Sequence, residues 1–150
     1  MAEITVKTAA KITLALDVTG VLPNGYHAIE SVFQTVGIYD TVEVALTEGE
    51  ISVSCKARKA ISENDSIPEG KKNIAYKAAE LFYETTGLKG GCKVHISKEI
   101  PSQAGMGGGS TDAAAVLYCL NRLTGAGLDE GKLAEIGARI GADVPFFFTG

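Results

Sequence analysis

Four glycines occupy the five positions from Gly105 to Gly109, with Met106 among them, between an alternating segment and an alanine-rich one. Such a run does not belong inside a strand or helix, where each glycine costs about 0.5–1 kcal/mol relative to alanine. The chain must turn here, and the flanks say between what. Cys92-Lys93-Val94-His95-Ile96 alternates with the period of a strand, whereas Ala113, Val116, Leu117 and Leu120 share one helical face. Glycines let N–H groups turn inward and let an anion approach without a Cβ in the way. The following helix aims its positive end at the same place, and Ser110 and Thr111 add hydroxyls. Ser110 follows the glycines where a Walker A loop would need lysine, and its place three residues after Gly107 breaks the dinucleotide fingerprint. The plainer alternative is a flexible loop closed by Ser110, Thr111 or Asp112 as a helix cap.

The first fifty-odd residues are β-rich. Ile4, Val6, Ile12, Leu14, Leu16 and Val18 keep even-numbered spacing around Thr8-Ala9-Ala10, the pattern of a half-buried strand bent at the alanines. Leu22-Pro23-Asn24-Gly25 signals a turn. Extended stretches follow through Ile29, Val32 and Phe33 and from Thr41 to Leu46. Beyond Glu48-Gly49-Glu50, Ile51 to Ser54 reads as the second arm of a hairpin. Residues 56–72 read as a loop whose basic run, Lys56-Ala57-Arg58-Lys59, is solvated. From Asn73 the period becomes helical through Ile74, Ala78, Leu81 and Phe82, and Gly87 stops it. Leu133, Ile136 and Ile140 mark a last helix, and Val144 to Phe148 a buried tail.

With 150 residues, 45% of them hydrophobic, one packed domain is expected. A net charge of −4 and a pI near 5.2 exclude broad phosphate-backbone binding of nucleic acid. No apolar run reaches the ~18 residues of a membrane span, and Met1 to Lys11 lacks the long apolar stretch of a secretory signal. Three widely spaced cysteines, Cys55, Cys92 and Cys119, read as reduced, buried thiols. A cytoplasmic protein without nucleic-acid or membrane partners is expected.

The complete string Ile100-Pro101-Ser102-Gln103-Ala104-Gly105-Met106-Gly107-Gly108-Gly109-Ser110-Thr111-Asp112-Ala113-Ala114 resembles the phosphate-binding motif of the GHMP kinases. Two further segments are similar to that family's motifs in order and spacing: Ala10-Lys11-Ile12-Thr13-Leu14 with Asn24-Gly25-Tyr26-His27, and Gly141-Ala142-Asp143-Val144-Pro145-Phe146-Phe147. The resemblance implies a two-layer α+β fold like domain 2 of ribosomal protein S5, with a mixed, largely antiparallel sheet and helices on one face. It implies transfer of the γ-phosphoryl of ATP to a hydroxyl of 4-diphosphocytidyl-2-C-methyl-D-erythritol, a step in mevalonate-independent isoprenoid synthesis. By motif, Pro101 to Thr111 would wrap the triphosphate, with Asn73 near the adenine. Lys11 and Asp143 would be the catalytic pair, Asp143 the base. Tyr26 and His27 would hold the cytosine, Thr13 would face substrate, and Mg2+ would use the Ser110 hydroxyl.

Each residue also has a plainer reading: Lys11 as a strand lysine reaching solvent, Asp143 as a turn or cap, Tyr26-His27 as hairpin packing, His95 as structural and Phe146-Phe147-Phe148 as core. Thr13 stands where the family more often has asparagine, which removes the amide's paired donor and acceptor. Family members continue into a second α/β domain. Residues 1–150 are therefore expected to be the N-terminal, ATP-binding domain without its C-terminal partner domain, poorly active alone and prone to self-association. Three other functions fit the same layout: another GHMP small-molecule kinase, an S5-like RNA-binding module, and a glycine-loop binding module without catalysis.

Overall fold

A computed structural model describes residues 2–58 and 67–149. Lys59 and the middle of the loop expected over 56–72 lie outside the described residues. Four strands, β1 (Glu3–Val21), β2 (His27–Thr47), β3 (Ser52–Ala57) and β4 (Gly91–Lys98), form one sheet in the order β1-β2-β4-β3. The helices are α1 (Ile74–Thr86), α2 (Gly108–Thr124), α3 (Glu130–Ile140) and a single turn, α4 (Phe146–Thr149). The β1/β2 and β2/β4 pairs are antiparallel and β3/β4 is parallel, so the sheet is mixed and largely antiparallel, as expected.

The alternation in the strands builds the core on one face. Val42, Val44, Val53, Cys92, Val94 and Ile96 point into a cluster with Ala78, Phe82, Val116, Leu117 and Leu120 of α1 and α2. The out-of-phase residues Glu43 and Lys93 are exposed on the other face. Each fully buried large side chain here contributes about 1.5–3 kcal/mol of transfer free energy.

The hairpin expected between residues 41–46 and 51–54 does not form. β4 takes the edge of β2, and β3 joins the far side of β4 in parallel, through a crossover that contains α1. Strand composition explains the choice. β4 sets Ile96, Val94 and Cys92 opposite Val42, Val44 and Leu46, whereas β3 offers mainly Val53 to the same layer and goes to the edge. β3 also runs on through Lys56 and Ala57, which pair with Ser97 and Lys98, so the basic run begins in a strand.

β1 is bent where the alanines stand: its register with β2 shifts between Ala9 and Ala10, and again beyond Thr13 and Val18. Beyond Lys11, however, it is not half-buried. Leu14 and Leu16 are each 59% exposed and Val18 53%, because the β1–β2 ribbon extends past the helical layer to the Leu22–Gly25 turn. The tail also differs from expectation. Val144 is buried, but Phe146, Phe147 and Phe148 are half-buried, with Phe146 edge-on to Phe33 at 5.2 Å.

α1 starts and stops where its sequence says. Asn73 Oδ1 accepts from the Ala75 amide at 2.8 Å, and Gly87 closes the helix at φ 68°. The Asn73 amide group also donates to the Pro68 carbonyl (2.7 Å) and to Cys55 Sγ (3.2 Å), tying the segment before the helix to β3. Asn73→Ala is expected to cost about 1–2 kcal/mol by urea denaturation, the upper half of the range for a lost cap. Asn73→Asp, which keeps the cap acceptor and loses both donations, should fall between.

Candidate active site

The glycine loop leads from β4 into α2, but α2 begins earlier than the alanine stripe suggests, with Gly108 and Gly109 in its first turn. Its N-cap is Gly107, at φ 69° with no side-chain cap, so neither Ser110, Thr111 nor Asp112 closes the helix. Among the described residues, no side chain caps the first N–H groups of α2, which stand at the positive end of a 17-residue helix. Gln103 (φ 57°) and Gly105 (φ 69°) also take left-handed backbone, which folds the loop back over this helix end.

A cavity of about 400 Å³ lies against this surface, lined by Pro101 through Ser110 together with Asn73, Ile74, Lys72, Lys98 and Asp112. Thr111 is not among its walls. The Thr111 hydroxyl accepts from Thr8 Oγ1 at 2.8 Å on the opposite side of α2. Nucleotide contact expected of Thr111 therefore has no side chain to make it on this face.

Lys11 and Asp143, 132 positions apart in sequence, stand together, with Lys11 Nζ 3.8 Å from Asp143 Oδ2. Lys11 is not reaching into solvent, since only 5% of it is exposed. Its ammonium also donates to Thr13 Oγ1 (3.1 Å) and lies 4.1 Å from the centroid of the Phe33 ring. Its backbone amide donates to the Met106 carbonyl (2.9 Å), which fixes β1 to the glycine loop. Lys11 and the loop meet again at Gly107. A Cβ there would lie 3.1 Å from Lys11 Cγ and 3.3 Å from Phe147 Cζ. Asp143 is held from behind by α3, where Gly137 lets the helix approach Val144 so closely that a Cβ would sit 2.7 Å from Val144 Cγ1.

Tyr26 and His27 are not brought to this pair. Tyr26 is 73% exposed beside the ribbon turn, and His27 pairs with Val21, ten positions along β1 from Lys11 or about 33 Å of extended strand. His95 sits on the open face of the sheet, its Nδ1 2.9 Å from Ser54 Oγ. Cys92 and Cys119 are buried free thiols, pushed up to about 12 by burial. Cys55 is only half-buried, and burial followed by the charge of Asp112 raises it to about 11.

A buried ionic cluster beneath the loop escaped the sequence reading. Lys98 Nζ donates to Asp112 Oδ2 (2.7 Å) and to Asp40 Oδ2, and all three side chains are almost wholly buried. A signal was present: Asp40 and Lys98 stand in phase with Val42–Val44 and Val94–Ile96, on the apolar side of their strands. Burial opposes the Lys98 charge, but Asp112 and Asp40 outweigh it and hold the ammonium above the ordinary lysine value. Burial pushes Asp112 up to about 8, against the pull of Lys98 and with the help of Asp40. Asp112 Oδ1 has no hydrogen-bond partner among the described residues.

With this geometry in hand, the chain's relationships are definite. The profile of the family described as GHMP kinases N terminal domain matches residues 73–150, and the chain belongs to that family. The 4-diphosphocytidyl-2-C-methyl-D-erythritol kinase of Clostridium tetani (strain Massachusetts / E88) is 45% identical over 145 residues, covering 97% of this chain and 49% of the relative. That of Geobacillus thermodenitrificans (strain NG80-2) is 42% identical over 148 residues, covering 99% and 49%. The crystal structure of a 4-(cytidine 5'-diphospho)-2C-methyl-D-erythritol kinase superposes with a TM-score of 0.73 at 34% identity, over 98% of this chain and 49% of that one. The mevalonate kinase of Methanococcus jannaschii, at TM-score 0.63 and 14% identity over 97% of this chain and 47% of its own, shares the fold. The chain spans about half the length of the curated relatives it matches.

The Asp112 shift has a direct consequence for stability. Between its ordinary value of 3.8 and about 8, the folded protein holds a proton that the unfolded chain has released. The native state binds more protons there, so this group's contribution falls as pH rises from about 4 to about 8. Thermal melts across that window should show the decline, and Asp112→Asn, similar in size and without the titration, should flatten it. Parallel wild-type and variant curves would disconnect Asp112 from the pH dependence.

Proposed function

We propose that this chain is the nucleotide-binding half of an ATP-dependent small-molecule kinase acting on 4-diphosphocytidyl-2-C-methyl-D-erythritol. One observation carries the reading: an uncapped helix N-terminus under a glycine loop meets, at Met106 and Gly107, a buried lysine that is paired with the half-buried Asp143. The names of relatives at 39–46% identity supply the substrate.

In this reading the amides of the loop and of the first turn of α2 hold the triphosphate, and Asn73 and Ile74 border the adenosine end of the cavity. The acceptor hydroxyl oxygen attacks the γ-phosphorus while the bond to the bridging β-oxygen breaks, and ADP leaves. Asp143 takes the hydroxyl proton, and Lys11 stabilises charge on the transferred group. The Ser110 hydroxyl, half-buried at the helix start, fits Mg2+, which needs few protein ligands when phosphates and water complete its shell. Bound there, the ion would neutralise phosphate charge. Tyr26 and His27 act on the cytosine only if the ribbon end and the transfer centre are bridged by an extended substrate. The remaining half of the relatives' length would supply the facing wall of the cleft. No described helix is long and apolar enough to cross a membrane, and with free thiols at Cys92 and Cys119 we place the enzyme in the cytoplasm.

Calorimetric titration with a non-hydrolysable ATP analogue tests the binding step. Wild type should bind, and Gly107→Val, strained at φ 69° and clashing with Lys11, should bind at least tenfold more weakly. Undiminished affinity would remove the loop from the reading. In phosphoryl-transfer assays on the enzyme at its relatives' full length, Lys11→Met and Asp143→Asn should each lower kcat by about 10²-fold or more while nucleotide affinity changes little.

A further inference from the structure

The cluster beneath the glycine loop is organised around one carboxylate. Asp40 is 0% exposed, and every hydrogen bond it accepts comes from residues 98–100, where β4 enters the loop. Its Oδ1 accepts from the backbone amides of Glu99 (2.6 Å) and Ile100 (2.8 Å), the residues by which β4 enters the loop. Its Oδ2 accepts from Lys98 Nζ, which in turn donates to Asp112 Oδ2 (2.7 Å) within α2, the helix that leaves the loop. The ammonium reaches this position because residue 108 has no side chain: a Cβ on Gly108 would lie 3.1 Å from Lys98 Nζ.

For stability alone, a buried ion cluster is a poor choice, since well-packed apolar residues of similar volume serve as well or better. Charge-assisted hydrogen bonds add direction instead. Here they fix two chain segments relative to a third. Asp40 belongs to β2, 58 positions away from Lys98 in sequence, so the frame that holds the loop is the centre of the sheet. Between the two tied ends, the chain from Pro101 to Gly107 adopts three left-handed residues, at 103, 105 and 107. Such backbone persists when its surroundings over-determine it.

We propose that Asp40 is a positioning residue: acting through the Glu99 and Ile100 amides and through Lys98, it clamps both ends of the glycine loop and so sets the geometry of the anion cradle between them. The link to a cradle rests on the proposed function, whereas the clamp itself is a property of the free chain, and the two are tested separately.

Amide hydrogen exchange on the 150-residue chain, read by NMR residue by residue, tests the clamp without nucleotide. In Asp40→Asn the remaining carbonyl oxygen keeps the two backbone bonds but no longer holds Lys98. Protection at Glu99 and Ile100 should survive, while that of the Thr111 amide, bonded to the Gly107 carbonyl in the first turn of α2, should fall at least tenfold. Lys98→Met should give the same split. Asp40→Ala should lose protection at Glu99, Ile100 and Thr111 together, with Val94, Ile96 and Leu117 in the core losing less. Where Asp40→Ala fails to fold, the other two variants carry the test. A uniform loss at all these amides, or none at Thr111 in Asp40→Asn and Lys98→Met, would reduce Asp40 to a core residue and overturn the proposal. Titration with the non-hydrolysable ATP analogue then reads the consequence, with an expected weakening of at least tenfold in Asp40→Asn. Unchanged affinity beside lost Thr111 protection would overturn the link from clamp to cradle. A wild-type chain that does not bind the analogue would instead count against the kinase reading, with the exchange result still deciding the clamp.

Discussion

The ammonium of Lys98, taken out of water and divided between Asp40 and Asp112, is the constraint around which this molecule is arranged. A buried lysine must be answered by acceptors of good geometry, because an isolated charge in the interior is too costly to keep. That requirement brings one acid from the sheet and one from the first helix after the loop. With both in place, the β4–α2 connection is short, closed at each end, and free to use backbone conformations that an unsupported loop would not hold. The N-terminus of α2, with no side-chain cap, then borders a cavity.

Lys11 has the opposite arrangement, and the contrast divides the labour of the site. Its partner Asp143 is 40% exposed and 3.8 Å away, its other contacts are a hydroxyl and an aromatic face, and no second carboxylate neutralises it among the described residues. Such a cation retains field to offer an incoming anion, whereas Lys98 gives two of its three donors to acids. The two lysines lie on either side of the glycine loop, touching it at adjacent residues, Gly107 and Gly108.

How much of this was legible in the sequence depends on the range of each interaction. The loop, its flanking strand and helix, and the Asn73 and Gly87 ends of α1 follow from local chemistry and were readable. The meeting of Lys11 with Asp143 was readable only through family motifs, since nothing local links residues 132 positions apart. Strand order was not: turn residues at 48–50 suit a hairpin, and only competition among whole strands for the centre of the sheet gives β4 that place. The start of α2 is hard to read because alanine marks a helix more visibly than glycine does, although Gly108 and Gly109 are helical. Asp40 and Lys98 betrayed themselves by falling in the apolar phase, yet which acid would find which base is decided by tertiary packing.

Lys11 marks a boundary within β1. Every residue from Ile12 to Val21 is exposed, while Lys11 is held in the interior by the loop on one side and the Phe33 ring on the other. Phe33 belongs to the protruding ribbon and touches Phe146 three residues after Asp143. Whatever comes to rest on its apolar arm thus lies on the same two strands that hold the Lys11 ammonium and that reach, through Phe33 and Phe146, the segment carrying Asp143.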